Sequence, residues 1–221
     1  MAPRLWDLRF AASAAVLAAA VGCSAAPASA GATDRIEEVV LEMGYGAGYG
    51  GMVTVELRPR VLFKDGTYTS DAATALQPRP RIDGRWRRGG KGFELVGNDG
   101  KKVSIEAKMR ARPARAGQSL GGEFRTMSGV GAPSTGVPVV AAWKNFVFSS
   151  DGTVRNERGA AVSGDGVAAS SQGAETMRYR LDRYTITLTR ADGTSESRLF
   201  YFFPDGDKVI GLGASTLSMR R

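Results

Sequence analysis

The amino-acid sequence predicts an all-β fold, in which an antiparallel meander occurs twice behind a cleaved N-terminal signal. Apolar and polar residues alternate along several short segments, which places the apolar side chains on one face of a strand. Asp-Gly pairs separate these segments, and they favour tight hairpins because glycine adopts positive φ angles without strain. The clearest alternating segments are 53–58, 103–110 and 184–189, and the Asp-Gly pairs stand at 65–66, 83–84, 99–100, 151–152, 165–166, 192–193 and 205–206.

The first thirty residues have the order of a bacterial export signal. A short basic start precedes an uncharged, alanine-rich run from Phe10 to Gly22, and small residues follow up to Ala30. This is the n-region, h-region and A-x-A order of a secretory signal. The apolar run is shorter than the roughly 20 residues that a membrane-spanning helix needs. We therefore expect residues 1–30 to be removed and the folded part to be exported.

The single cysteine, Cys23, directly follows the apolar run. The segment from Leu17 to Cys23 resembles a bacterial lipobox, in which the cysteine is acylated and becomes the mature N-terminus, although Ala20 stands where leucine is usual. The alternative is cleavage after Ala30, which releases a soluble periplasmic protein. We favour lipidation at Cys23, and hence a lipoprotein anchored to the outer membrane, because the only thiol stands at that position. In either case the folded part forms no disulfide.

The folded part begins with a segment that suits either a helix or a strand. Asp34 and Glu37 have the spacing of a helix capping box, and apolar residues up to Met43 would share one helical face. The β-branched pair Val39-Val40 instead favours a strand. We predict the strand.

A glycine-rich string, G-x-G-x-x-G, follows from Gly46 to Gly51. Dinucleotide binding requires a strand before such a string and a helix after it, whereas an alternating strand follows here from Met52. Nucleotide binding is therefore not predicted. We expect a loop tip at which Tyr45 and Tyr49 are free to contact a ligand.

Positive charge is concentrated between Arg58 and Arg115. This segment holds 15 Lys and Arg against 6 Asp and Glu, and the whole chain carries a net charge of +8. Since arginine binds phosphate and carboxylate, often bidentately, we predict a face that binds an anionic lipid, lipopolysaccharide or an acidic glycan, and no nucleic acid. The alternative is a solvated edge whose charges prevent aggregation. The candidate ligand-binding arginines are Arg79, Arg81, Arg85, Arg87 and Arg88.

The two halves of the folded part resemble each other. In each half an Asp-Gly pair precedes an aromatic strand, which contains Trp86 in the first half and Tyr179 in the second, and a further Asp-Gly pair follows at the same spacing. We predict two meander repeats, over residues 31–135 and 136–221, joined by the Gly-, Ser- and Pro-rich segment 127–138. The apolar run 199–203 predicts a strand that is buried on both faces.

Gly84-Arg85-Trp86 at the start of a strand, within a meander rich in Asp-Gly hairpins, resembles the G-x-W start of lipocalin-like barrels. The segment 184–200 is similar to the repeated unit of uncharacterised exported bacterial β proteins. This resemblance is one of sequence pattern, and it covers most of the chain after the signal. It implies one or two lipocalin-like barrels, or a sandwich, with an apolar interior, and it assigns no functional residues.

Histidine is absent, and the folded part has no cysteine. Transition-metal sites therefore lack their commonest ligands, and acid–base catalysis lacks the side chain that titrates near neutral pH. We assign no catalytic residue, metal site or cofactor, and we predict a non-enzymatic envelope protein that binds an apolar or anionic ligand. The alternatives are a hydrolase that uses carboxylates alone and an accessory subunit of an envelope complex that adds a strand to its partner.

Overall fold

The computed structural model describes residues 34–47, 53–132, 137–164 and 167–220. The predicted signal with Cys23, and Tyr49 of the glycine-rich loop, lie outside these residues. The described chain confirms the all-β prediction, because its strands form two antiparallel, barrel-like sheets. The strands are β1 (Ile36–Ala47), β2 (Val53–Phe63), β3 (Thr67–Thr69), β4 (Gly84–Gly89), β5 (Gly92–Gly97), β6 (Lys102–Glu106), β7 (Gly122–Ala132), β8 (Val137–Phe148), β9 (Thr153–Gly164), β10 (Val167–Asp182), β11 (Thr185–Thr189), β12 (Ser195–Phe202), β13 (Val209–Leu212) and β14 (Ser215–Met219).

The first sheet contains β1 to β6 in sequence order. Its first element is a strand, as the Val39-Val40 pair predicts. A backbone bridge joins Val40 of β1 to Arg110, which follows β6, and so brings the two ends of the sheet together. The residues buried inside it are Val40, Leu62, Tyr68, Phe93, Leu95 and Ile105.

The second sheet is a closed barrel of β7 to β14, because the last strand pairs with the first. The segment that links the two sheets crosses one end of this barrel. There Arg112 and Phe202 exchange two backbone hydrogen bonds of 2.9 Å, and the Gly117 amide donates to the carbonyl of Leu181 at 3.0 Å. Aromatic side chains fill the barrel at this end, among them Phe124, Phe146, Phe148, Phe200 and Phe202.

Equivalent hydrogen bonds in the two sheets support the predicted duplication. The carboxylate of Asp65 accepts hydrogen bonds from the amide and hydroxyl of Thr67, and Asp151 accepts the same pair from Thr153. The hydroxyl contact is the main reason why the pKa of each aspartate lies below its usual value. Such turns are therefore held by charge-assisted hydrogen bonds that tie strand starts to the preceding turn.

The aromatic strand of each repeat makes the same contact with the preceding turn. Trp86 Nε1 donates to the carbonyl of Phe63 at 2.8 Å, and the Tyr179 hydroxyl donates to the carbonyl of Ser149 at 3.0 Å. Each carbonyl belongs to the residue two positions before the turn aspartate. The register also agrees, since the tryptophan is paired with Leu95 and the tyrosine with Leu188.

The two sheets divide between β6 and β7, whereas the sequence places the boundary at 135/136. Within the Gly-, Ser- and Pro-rich segment predicted to connect the repeats, residues 127–132 belong instead to β7 and residues 137–138 to β8, and these strands pair with each other. Composition alone does not distinguish a segment within one sheet from a linker between two sheets. The linker is the segment between β6 and β7, which includes the backbone bridges at Arg110, Arg112 and Ala114.

A third apolar core lies between the two sheets. Leu199 and Tyr201 point out of the barrel and pack with residues of β1 and β2, including Leu41 and Val61. Their neighbours Phe200 and Phe202 point into the barrel, because side chains alternate along a strand. The prediction that the 199–203 run is buried on both faces is thus confirmed for this strand.

One carboxylate is buried at the junction of the two sheets. Glu38 of β1 is 2 % exposed. It accepts hydrogen bonds from Arg88 at 3.1 Å, from Arg110 Nε at 2.6 Å and from the Tyr184 hydroxyl of the barrel at 3.3 Å. Burial, followed by the charge of Glu38, raises the pKa of Tyr184 to about 12. This cluster connects the first sheet, the linker and the barrel.

Candidate functional site

The inward face of the barrel changes from apolar to polar along its length. On β8, the buried Phe148 and Phe146 are followed on the same face by Lys144, and on β9 the buried Val154 is followed by Asn156 and Arg158. Strands β8, β9 and β10 are also longer than β11 to β14. The barrel therefore has a packed apolar end, crossed by the linker, and a polar end with an uneven rim.

A cavity of about 1070 Å³ opens at the polar end, and we call it the mouth cleft. Strands β8 to β10 form one wall, which carries Lys144 and Arg158. The connection from β13 to β14, at Ala214, forms the low part of the rim. A further wall comes from β2 of the first sheet, at residues 55–59. Both sheets thus contribute to the same cleft.

The two cations on the barrel wall of the mouth cleft stand side by side. Lys144 and Arg158 are directly paired across β8 and β9. Like charges at such positions repel each other and destabilise a sheet. Neither side chain is within 4.0 Å of a carboxylate among the described residues. The wall therefore carries two positive charges that no acidic group of the described chain neutralises.

The other charged residues around the mouth cleft are paired. Arg58 of β2 binds the Glu56 carboxylate at 2.9 Å. Inside the barrel, Arg190 binds Glu175 at 2.8 Å, and Arg198 binds Glu196 at 2.7 Å. These pairs leave Lys144 and Arg158 as the positive side of the cleft. A negatively charged group placed there would remove the repulsion between the two cations.

The wall that β2 contributes is apolar. Val55, Leu57 and Pro59 lie on one face of this strand, and they line the mouth cleft together with Phe203. The cleft thus combines an apolar wall with a cationic wall. Such a combination suits an amphiphile, which has an apolar part and a charged group.

The structure places the five predicted arginines in different surroundings. Arg79 and Arg85 are exposed, and no contact of their side chains is present in the described chain. Arg81 binds Asp83 at 3.1 Å, and Arg87 binds Glu94. Arg88 lies on the face of β4 opposite to Arg85 and Arg87 and contacts the buried carboxylate of Glu38. Arg88 is therefore separated by its strand from Arg85 and Arg87, and a ligand-binding role of the other four arginines stays a prediction.

Tyr45 is the predicted tyrosine that the structure describes. It is 69 % exposed near the end of β1, paired with Val55 of β2. The pairing places it on the same face as the apolar wall of the mouth cleft.

Sequence reasoning missed Lys144 and Arg158. The signal that marks them is a cation at the inward-facing position of an alternating strand, where the preceding pattern requires an apolar residue.

The described residues contain no cluster of three or more Cys, Asp and Glu side chains suited to a metal ion. In the same part of the chain, no helix is both long and apolar enough to cross a bilayer. Comparison with protein-family models, with curated proteins and with solved structures finds no match for this chain.

Proposed function

We propose that this chain is a non-enzymatic, exported envelope protein that binds an anionic amphiphile in the mouth cleft. The observation that carries the proposal is the pair Lys144 and Arg158 on one wall of a large cavity, to which the described residues supply no acidic partner. Folding places two like charges side by side at a cost in stability, and an anion that binds the folded protein at this pair offsets that cost. An anionic lipid, lipopolysaccharide or an acidic glycolipid has the required charge.

Each of the two sheets contacts a different part of the ligand, because the cationic wall belongs to the barrel and the apolar wall to β2. A phosphate or carboxylate group accepts charge-assisted hydrogen bonds from Lys144 and Arg158. The apolar part of the ligand packs against Val55, Leu57 and Pro59, and its burial is favourable in proportion to the area removed from water. Because both cations are exposed in the cleft, salt will weaken the first contact more than the second.

The test is the binding of n-decyl phosphate, at a concentration below its micelle threshold, measured by calorimetry and thermal shift. We expect the wild-type protein to bind it and to be stabilised, while inorganic phosphate and n-decyl maltoside bind more weakly. The double variant Lys144→Gln/Arg158→Gln should lose about tenfold or more in affinity, since a hydrogen bond to a charged group contributes roughly 1.5–3 kcal/mol.

A matched control is Arg180→Gln, because Arg180 is an exposed cation on the outer face of the neighbouring strand β10. This variant should bind as the wild type does. Equal affinity of the double variant and the wild type would overturn the proposal. Recovery of cleaved ligand after incubation would favour the carboxylate-dependent hydrolase instead.

Export and an acyl anchor at Cys23 belong to the same proposal. A lipid-anchored protein in the cell envelope stays close to membranes, which are the source of anionic amphiphiles. The soluble form cleaved after Ala30 would meet the same ligands in the periplasm.

A further inference from the structure

Large apolar side chains are exposed mainly on one face of the hairpin formed by β1 and β2. Met43 is 56 % exposed, Tyr45 69 % and Val55 61 %. The pairing of Met43 with Leu57, and of Tyr45 with Val55, places all of them on the same face. Elsewhere in the described chain, Ile82 is the other exposed large apolar residue, at 37 %. Such a concentration marks an interaction surface.

Met43, Tyr45 and Val55 form an apolar stripe, which continues the face of β1 and β2 that is buried between the two sheets. Its face of β1 begins with Val39 and Leu41, which are buried between the two sheets. Farther along the same hairpin, Leu57 and Val55 line the mouth cleft. The stripe of Met43 and Tyr45 therefore leads from the edge of the cleft into solvent.

Cations stand at the opening of the cleft to which the apolar stripe leads. Lys144 and Arg158 stand on the barrel wall there, whereas Arg58 is paired with Glu56 on the opposite face of β2. The chain as a whole carries a net charge of +8. An apolar patch with an aromatic hydroxyl, leading to a cleft that carries two cations, is complementary to the surface of an anionic bilayer, where tyrosine prefers the interface.

We infer that the β1–β2 hairpin docks the protein on an anionic lipid bilayer, and that the ligand of the mouth cleft is an anionic lipid taken from that bilayer. The inference rests on the proposed function. An amphiphile with long chains is almost entirely in membranes, so a cleft that binds it must open at the membrane surface. Insertion of Met43 and Tyr45 among the headgroups brings the apolar wall of the cleft to the acyl chains, while the cations face the phosphates.

The experiment is a flotation assay with lipid vesicles. The protein is exported and processed by a bacterial host with the substitution Cys23→Ser, so that no acyl anchor contributes. Vesicles consist of phosphatidylcholine alone or of phosphatidylcholine with phosphatidylglycerol. We expect binding to the vesicles that contain phosphatidylglycerol, about tenfold weaker binding of Met43→Ser/Tyr45→Ser, and unchanged binding of the matched control Ile82→Ser. High salt should weaken the binding of all three proteins.

Two outcomes would overturn the inference. One is equal vesicle binding by Met43→Ser/Tyr45→Ser and the wild type. The other is a wild-type protein that ignores the vesicles and forms a dimer through this stripe, detected by light scattering. Monomeric n-decyl phosphate separates the two proposals. If Met43→Ser/Tyr45→Ser binds it as the wild type does, a loss of vesicle binding concerns docking alone. If the wild type binds vesicles but not n-decyl phosphate, the proposed function fails and docking remains.

Discussion

The substitution Gly84→Ala is expected to lower the free energy of unfolding by about 3 kcal/mol or more, as severe overpacking does. Gly84 begins β4 and is paired with Gly97 of β5. A Cβ atom at this position would lie 2.1 Å from the carbonyl oxygen of Val96 and 2.8 Å from Cα of Gly97. Both atoms belong to the backbone of β5, so no side-chain rotation relieves the contact. The two strands would have to separate.

Gly90→Ala is the matched control for this prediction. Gly90 lies in the turn between β4 and β5, and a Cβ atom there would have no other atom within 4 Å. Its substitution should change the free energy of unfolding by no more than about 0.5 kcal/mol. Urea unfolding followed by circular dichroism measures both variants. If Gly84→Ala unfolds at the same urea concentration as Gly90→Ala, the pairing of β4 with β5 in this structure is wrong.

The substitution Glu38→Gln should lower the free energy of unfolding by roughly 2–3 kcal/mol, the contribution of hydrogen bonds to a charged group. Glu38 is buried, and it accepts hydrogen bonds from Arg88, Arg110 and Tyr184. The amide keeps the shape of the side chain and removes its charge. The two arginines are about half exposed, which limits the effect because water solvates them in the variant. We also expect the two sheets to unfold less cooperatively.

Glu37→Gln provides the control, because Glu37 is the neighbouring residue and lies 3.6 Å from Arg88 with its side chain 37 % exposed. Its effect on stability should be below about 1 kcal/mol, as for other exposed ion pairs. Urea unfolding at neutral pH compares the two variants. A Glu38→Gln protein as stable as Glu37→Gln would contradict the role of the buried carboxylate.

The contact between Glu38 and Tyr184 also predicts how stability depends on alkaline pH. The folded state raises the pKa of Tyr184 from 10.0 to about 12, so the folded protein retains a proton that the unfolded chain loses. This contribution to stability is complete below pH 10 and is lost as the pH rises toward 12. In Glu38→Gln, burial still raises this pKa but the carboxylate charge no longer does, so the alkaline loss is smaller.

The fold could be predicted from the sequence because its signals are local. Alternation defines the inward and outward faces of β11 and β12, and the Asp-Gly pairs at 65–66 and 151–152 mark equivalent turns that the structure holds with equivalent hydrogen bonds. Closure is not local. Strands β13 and β14 have no counterpart in the first sheet, and the pairing of Met219 with Phe124 joins residues far apart in the sequence.

For the candidate site, the sequence predicted the kind of ligand, which is apolar or anionic, but not the residues Lys144 and Arg158. A count of charges identifies the basic segment 58–115. It does not show which of the basic side chains are paired with a carboxylate. Arg87 and Arg88 are adjacent in sequence, yet they lie on opposite faces of β4 and bind different acids. Lys144 and Arg158 lie in a region of ordinary charge density. Their importance follows from their direct pairing, which the strand register reveals, and from the lack of a carboxylate within 4.0 Å among the residues that the structure describes.

The claim that Lys144 and Arg158 bind an anionic ligand is tested most directly with the variant Lys144→Glu. Its stability at low salt and its affinity for n-decyl phosphate are measured together. A glutamate beside Arg158 replaces repulsion by attraction, so the variant should gain about 1 kcal/mol, or roughly 2–4 °C in melting temperature, while it loses ligand binding. If the two cations serve ligand binding, the variant is expected to gain stability and to lose its affinity for the ligand. A variant that is less stable than the wild type at low salt, and that still binds the ligand, would contradict the account.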